Sequence, residues 1–242
     1  MPQAELELRN VTIRFGGLTA VNNVTLSIGT GDLVGLIGPN GAGKTTLFNA
    51  ISGLVRPTQG EIAFEGRDIL RASLHQRARL GLGRTFQVPQ PMHELTVREN
   101  LRVAQRFGAG KIDEARLDEI LAFVGLDTKA HRNAATELAL TELKALEVGK
   151  ALATQPKLLL LDEVLGGLET ASKRRFMSML QEVHERYQIG ILIIEHDIET
   201  VMNLCRRVCV LNFGELIADG PPAEVFRDPA VVKSYTGEAI DA

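Results

Sequence analysis

The chain has 242 residues, enough to bury a core without disulfides or a structural metal, so a miniprotein held together by cystines or zinc is excluded. Hydrophobic residues make up 45% and charged residues 24%, the balance of a folded globular protein and not of a disordered one. Lys plus Arg number 27 against 30 for Asp plus Glu, and a net charge of -3 provides no whole-molecule field for nucleic-acid phosphates.

Leu6 to Phe15 and Val21 to Ile28 have β-type patterning on either side of Gly16-Gly17, which predicts an antiparallel hairpin at the amino end. Leu33 to Ile37 is a short apolar strand, followed by a glycine-rich stretch. Lys44 to Ser52 then carries helical spacing in Leu47, Phe48 and Ile51. Gly60 to Phe64 and Gly83 to Phe86 read as strands, the second leading into the Pro-flanked segment Val88 to Pro91. Between Leu95 and Ala153 helical patterns dominate: Val97 to Arg106, Ile112 to Val124, and a run from about Thr141. Beyond Pro156 the order is strand Leu158 to Leu161, helix Ala171 to Arg186, strand Ile189 to Ile194, helix Asp197 to Leu204 and strand Val208 to Leu211. Alternating short strands and helices predict an α/β fold with a mainly parallel sheet. The simplest organisation is one domain over residues 1–242 with a helical subdomain inserted at roughly 88–153.

Other features set limits. Cys205 and Cys209 are too few for a disulfide framework and read as buried, reduced thiols. The opening Met1-Pro2-Gln3-Ala4-Glu5-Leu6-Glu7 lacks the basic and apolar regions of a secretory signal, so the chain is expected inside the cell. No apolar run approaches the roughly 18 residues that a membrane span requires, so membrane contact is expected through a partner. Arg77, Arg79 and Arg84 form a basic cluster that reads first as a solvated face. His75, His93, His131 and His184 lie in polar stretches expected to be exposed.

Gly38-Pro39-Asn40-Gly41-Ala42-Gly43-Lys44-Thr45, followed by Thr46, fits G-x-x-x-x-G-K-[ST] between an apolar strand and a helix, the context that this phosphate-binding motif demands. Glycines let backbone N–H groups curl around a phosphate, the helix amino terminus adds partial positive charge, Lys44 meets the outer phosphates, and the Thr45 hydroxyl suits Mg²⁺. Asp162 and Glu163 follow Leu158 to Leu161, at the carboxyl end of a strand where open α/β sheets place ligands. Asp162 suits the magnesium; Glu163, one residue on and pointing elsewhere, suits a base for the attacking water.

With these motifs together the sequence resembles the ATP-binding subunits of ABC transporters over nearly its whole length. The resemblance implies a P-loop NTPase core with an N-terminal antiparallel β subdomain and an inserted helical subdomain. It also implies ATP and Mg²⁺ as cofactors. Gln87 of Thr85-Phe86-Gln87 is implied to touch both Mg²⁺ and a membrane partner. Phe15 of Arg14-Phe15-Gly16-Gly17 is implied to stack on adenine, although its alternation with Ile13 alone favours a core position. His196 of Ile194-Glu195-His196-Asp197 is implied to sense the γ-phosphate, although a strand-to-helix corner also suits a structural histidine. Phe15 to Val21, Gly35 to Asn40, Arg84 to Gln87, Leu95 to Asn100, and the tail Asp228-Pro229-Ala230-Val231 with Tyr235-Thr236-Gly237 look like the branched-chain amino acid and amide importers. More narrowly, they look like the first of that system's two ATPase subunits.

The chain departs from the family at its signature, Leu-Ser-Gly-Gly-Gln, where it carries Leu138-Ala139-Leu140-Thr141-Glu142. Without the serine and both glycines, close backbone approach to a γ-phosphate is obstructed, and Thr141 is expected to act as a helix N-cap. Val164 replaces a usual proline and Glu169 a usual aspartate. The implied partners are a second ATPase subunit in a homo- or heterodimer, transmembrane permease subunits and, indirectly, an external solute-binding protein, with no nucleic acid. The implied location is the cytoplasmic face of the membrane, reached through the permeases. The implied function is ATP hydrolysis that energises import of a branched-chain amino acid, an amide or a similar solute. The alternatives are a non-transport ATPase of the same architecture and a weakly hydrolysing regulatory subunit.

Overall fold

The computed structural model describes residues 4–236; Met1 to Gln3 of the opening segment and Gly237 of the tail motif lie outside the described residues. In chain order the first elements are β1 (Ala4–Phe15), β2 (Leu18–Gly29), β3 (Leu33–Ile37), α1 (Lys44–Ser52), β4 (Gln59–Phe64), β5 (Arg67–Asp68) and α2 (Leu74–Leu80). There follow β6 (Leu82–Arg84), α3 (Val97–Gly108), α4 (Glu114–Phe123), a 3₁₀ turn (Asp127–Lys129), α5 (Leu140–Ala153), β7 (Leu158–Asp162) and α6 (Thr170–Tyr187). The last are β8 (Gly190–Ile194), α7 (Ile198–Leu204), β9 (Arg207–Asn212), β10 (Glu215–Gly220), α8 (Pro222–Val225) and α9 (Pro229–Thr236). The chain divides into two compact units, one of Met1–Leu74 with Gly190–Ala242 and one of His75–Ile189.

In the first unit, β1 pairs antiparallel with β2, as the hairpin pattern predicts, and also antiparallel with β4. The second layer is organised by β3, which pairs parallel with β8 and with β9, while β10 returns antiparallel to β9. All five residues of β3 and of β8 are buried, which is why these strands read as continuous apolar runs and not as alternating ones. The core joins Leu6, Leu8, Ile13 and Ile28 of the hairpin with Leu47, Phe48 and Ile51 of α1, all essentially inaccessible. Cys205 and Cys209 are free and buried here, as expected.

In the second unit, β6 pairs parallel with β7, with Leu82, Gly83 and Arg84 opposite Leu158, Leu159 and Leu160. α3 starts at a capping box: the Thr96 hydroxyl accepts from Glu99 N–H, and the Glu99 carboxylate accepts from Thr96 N–H. α5 is almost wholly buried from Lys144 to Ala153. Two expectations of exposure fail in this unit. Arg77 is 1% exposed and Arg84 has a buried side chain, so the basic cluster is not a solvated face. His184 is buried too, with Nδ1 3.0 Å from Ile189 O. Local polarity alone does not reveal that a polar side chain will be buried.

Candidate functional site

β3 delivers the chain into the glycine-rich loop, and α1 carries it away. Gly38 has φ +146°, and a Cβ there would stand 2.0 Å from Leu211 O; Gly43 has φ +100°, and its Cβ would stand 2.3 Å from Ala20 O. Any side chain at either position would collide with backbone, so the loop's path requires glycine. Gly43 is the N-cap of α1 in the left-handed region, and no side chain caps the helix. No acidic residue lies in its first turn. The amino-terminal N–H groups and their partial positive charge are thereby kept for an anion.

Lys44, 6% exposed, folds over the loop and donates from Nζ to Gly38 O at 2.7 Å and Pro39 O at 2.9 Å. Ala42 is buried, Asn40, Gly41 and Thr45 are exposed, and Thr46 is partly buried. Ala42 O accepts from Gly214 N–H at 3.0 Å, which ties the loop to the β9–β10 turn. In the same unit, Phe15 is 50% exposed. A register irregularity between Ile13 and Arg14 breaks the alternation that favoured a core position and turns the ring outward. His196 is exposed immediately after β8; the adjacent Asp197 caps α7, accepting from Glu199 N–H at 3.1 Å and from the Thr200 hydroxyl at 2.8 Å.

The second unit holds Gln87, Asp162 and Glu163. Asp162 is buried at the end of β7, its N–H donating to the Thr85 hydroxyl at 3.1 Å and its Oδ2 receiving Arg84 Nη2 at 3.2 Å. Burial pushes the Arg84 guanidinium below its usual range, and the Asp162 charge pulls it back. Glu163 has φ +50°, in the left-handed region. Gln87 Nε2 donates to Glu163 Oε2 at 2.6 Å, so two sequence-predicted residues far apart in the chain meet directly.

The altered signature opens α5. Ala139, not Thr141, is the N-cap, and Thr141 lies inside the first turn, which corrects the expectation. The Glu142 carboxylate accepts from Ala139 N–H at 3.0 Å and pairs with Lys129 Nζ at 2.6 Å. With alanine at the N-cap, only the glutamate half of a capping box survives. Leu140 is 48% exposed and Leu138 partly buried. The Lys129 ammonium holds the Glu142 carboxyl below its ordinary range.

Sequence reasoning missed Arg84 as the partner of Asp162, and it missed a stripe on α5. Lys144 donates to Glu163 O at 3.1 Å and to Gly166 O, while Glu147 and Lys150 hold the backbone of Gln90. The available signal was a set of charges at helical spacing, Lys144, Glu147 and Lys150, among apolar Ala145, Leu146 and Val148.

The donor types named for magnesium, a threonine hydroxyl, a carboxylate and a glutamine amide oxygen, are all hard oxygens, as that ion prefers. The glycine-walled loop with an uncapped helix behind it fits a polyphosphate chain. The model for the ABC transporter family matches residues 21–166, and that for the branched-chain amino acid ATP-binding cassette transporter family matches residues 215–241. The high-affinity branched-chain amino acid transport ATP-binding proteins LivG of Salmonella typhimurium and BraF of Pseudomonas aeruginosa are each 38% identical, covering 99% of this chain and 100% of their own. Among solved structures, the ADP conformation of MJ1267, an ATP-binding cassette of an ABC transporter, is 32% identical with a TM-score of 0.86, covering 98% of this chain and 100% of that one. The chain belongs to the ABC transporter family and is an ATPase of its ATP-binding cassette type.

Proposed function

We propose that this ATPase energises import of a branched-chain amino acid, an amide or a similar small solute through membrane permease subunits. The observation that carries this reading is the full-length likeness to LivG and BraF, extended by the family match over the tail. Residues 1–242 act as one ABC ATPase domain, with the helices of roughly 88–153 as its inserted subdomain. It pairs with a second ATPase subunit, identical or not, at the cytoplasmic face of the membrane. An external binding protein hands solute to the permeases.

In this reading the backbone of Gly38, Asn40, Gly41, Ala42 and Gly43 receives the phosphates, with Thr46 beside them and Phe15 against the base. Lys44 exchanges its two loop carbonyls for phosphate oxygens and neutralises charge on them. Thr45, Gln87 and Asp162 would hold Mg²⁺, which would supply neutralisation of charge on the phosphate oxygens. Glu163 accepts the proton of the attacking water, and His196 donates toward the outer phosphate. In the structure the Gln87 amide donates to Glu163 Oε2, which orients the carboxylate and leaves it further acceptor capacity for that proton. Exposed Gln87 and Val88 give the permease a segment whose displacement would re-aim Glu163.

The segment Leu138 to Glu142 meets the partner's nucleotide poorly, and the two sites of the dimer turn over unequally. What supports this is a helix start bearing a glutamate cap and an exposed leucine where the family has serine and glycines. The test of the whole reading is ATP-driven uptake by the chain reconstituted with its permeases, run beside Glu163→Gln. The variant is expected to bind ATP as before and to lose turnover by about a hundred-fold or more. Nearly unchanged turnover would remove Glu163 from the role of base, and uptake indifferent to ATP would end the import reading.

A further inference from the structure

We propose that Lys144 is a positioning residue for Glu163, acting through the backbone of the turn that follows β7; the inference rests on the reading of Glu163 as the base. Lys144 lies on the buried part of α5, 6% exposed, and its ammonium donates to Glu163 O and Gly166 O. These two carbonyls bracket the turn, which is itself closed by Gly166 N–H donating to Glu163 O at 3.2 Å. The turn needs holding because Glu163 sits at φ +50°, a left-handed conformation that non-glycine residues disfavour. An ammonium has three donors and no shape preference, so it can bind two carbonyls that no neutral side chain of that length would reach together.

The same helix face continues the task. One turn on, Glu147 Oε1 accepts from Gln90 N–H at 3.0 Å, and Lys150 Nζ donates to Gln90 O at 2.8 Å and to Glu147 at 2.6 Å. Gln90 follows Gln87 by three residues, and Gln87 reaches Glu163. A closed ring therefore runs from α5 through Gln90 and Gln87 to Glu163 and back through Lys144. Both ends of the Gln87–Glu163 hydrogen bond are fastened to the helix that begins with the altered signature. Lys144 thus transmits the position of that helix to the residue that handles the water.

The experiment compares Lys144→Met, Lys144→Gln and Lys144→Arg in the full-length chain, with ATP as the probe. Steady-state ATPase, ATP affinity and amide hydrogen exchange over residues 162–168 are measured. The Met variant is expected to lower kcat about ten-fold with KM for ATP within about two-fold, and to speed exchange in that turn, while Arg recovers at least half of kcat. If the Met chain fails to fold, the Gln variant, which keeps N–H donors without charge, must show the same split. Wild-type kcat in the Met or Gln variant, or equal loss of kcat and ATP affinity with exchange rising across all of α5, overturns the proposal. Glu163→Gln run alongside separates the two levels. If it retains turnover, the reading of Glu163 falls; if it is inactive while Lys144→Met is fully active, only the role of Lys144 falls.

Discussion

Arg84 Nη2 lies 3.2 Å from Asp162 Oδ2, and the two side chains are 5% and 4% exposed. Removing one member of such a pair strands the other charge in the interior, whereas removing both does not. Arg84→Met is therefore expected to destabilise the chain by about 3 kcal/mol, and Arg84→Met with Asp162→Leu to recover most of that loss. Urea unfolding of the two variants at pH 7 checks this. Additive losses in the double variant would show that the pair is not coupled.

Gly43→Ala is expected to abolish nucleotide binding while leaving most of the fold in place. A Cβ at this position would press on Ala20 O, so the loop must shift where the phosphates lie. Lys44→Ala keeps the loop's path and removes the ammonium, and it is expected to weaken ATP binding at least ten-fold. Titration with a fluorescent ATP analogue reads both.

Rebuilding the signature as Ala139→Ser, Leu140→Gly and Thr141→Gly brings opposed effects. Serine at the N-cap completes the box with Glu142 and adds about 1 kcal/mol, while each glycine in the first turn of α5 costs up to about 1 kcal/mol. Stability is expected to fall slightly, and turnover of the reconstituted transporter to rise. An unchanged ATPase rate would count against unequal sites.

Glu142 gives a pH dependence of known sign. Its folded pKa is depressed, by Lys129 first, so its contribution is present above the ordinary carboxylate range and is lost as pH falls through the depressed value. Lys129→Met should return the Glu142 titration toward its ordinary value, followed by NMR of the carboxyl carbon.

Cys205 is pushed up to about 12 by burial, and Cys209 is pushed up further by the same cause. Neither thiol is then ionised at pH 8, so neither should react with iodoacetamide until denaturant is added. Mass spectrometry of the labelled chain gives the count. Rapid labelling of either in the native chain would contradict the buried placement.

What was legible in the sequence follows a physical division. The phosphate loop, β3, α1 and the acids after β7 were readable because glycine spacing and unbroken apolar runs are local consequences of local geometry. Even Ala139 to Glu142 could be recognised as a defective signature by counting back from Asp162. Arg84, Lys144, His184 and the outward turn of Phe15 were not readable. Arg84 and Lys144 depend on partners distant in the chain, His184 on a carbonyl five residues on, and Phe15 on a register slip in its own strand; their residue types alone suggest solvent for the first three and core for the last. Also unplaced from the sequence were α2, β5, β10, α8 and α9, which lack the unbroken apolar runs that marked the buried strands.

The left-handed backbone at Glu163 means that the residue best suited to this position by conformation is glycine, while the proposed role as base requires the carboxylate. On that proposal, Glu163→Gly would relieve a local strain and leave a cassette without its base. Selection for thermal robustness alone would thus drive this position away from function, and a directed-evolution campaign that screens only for heat resistance should expect to recover that replacement.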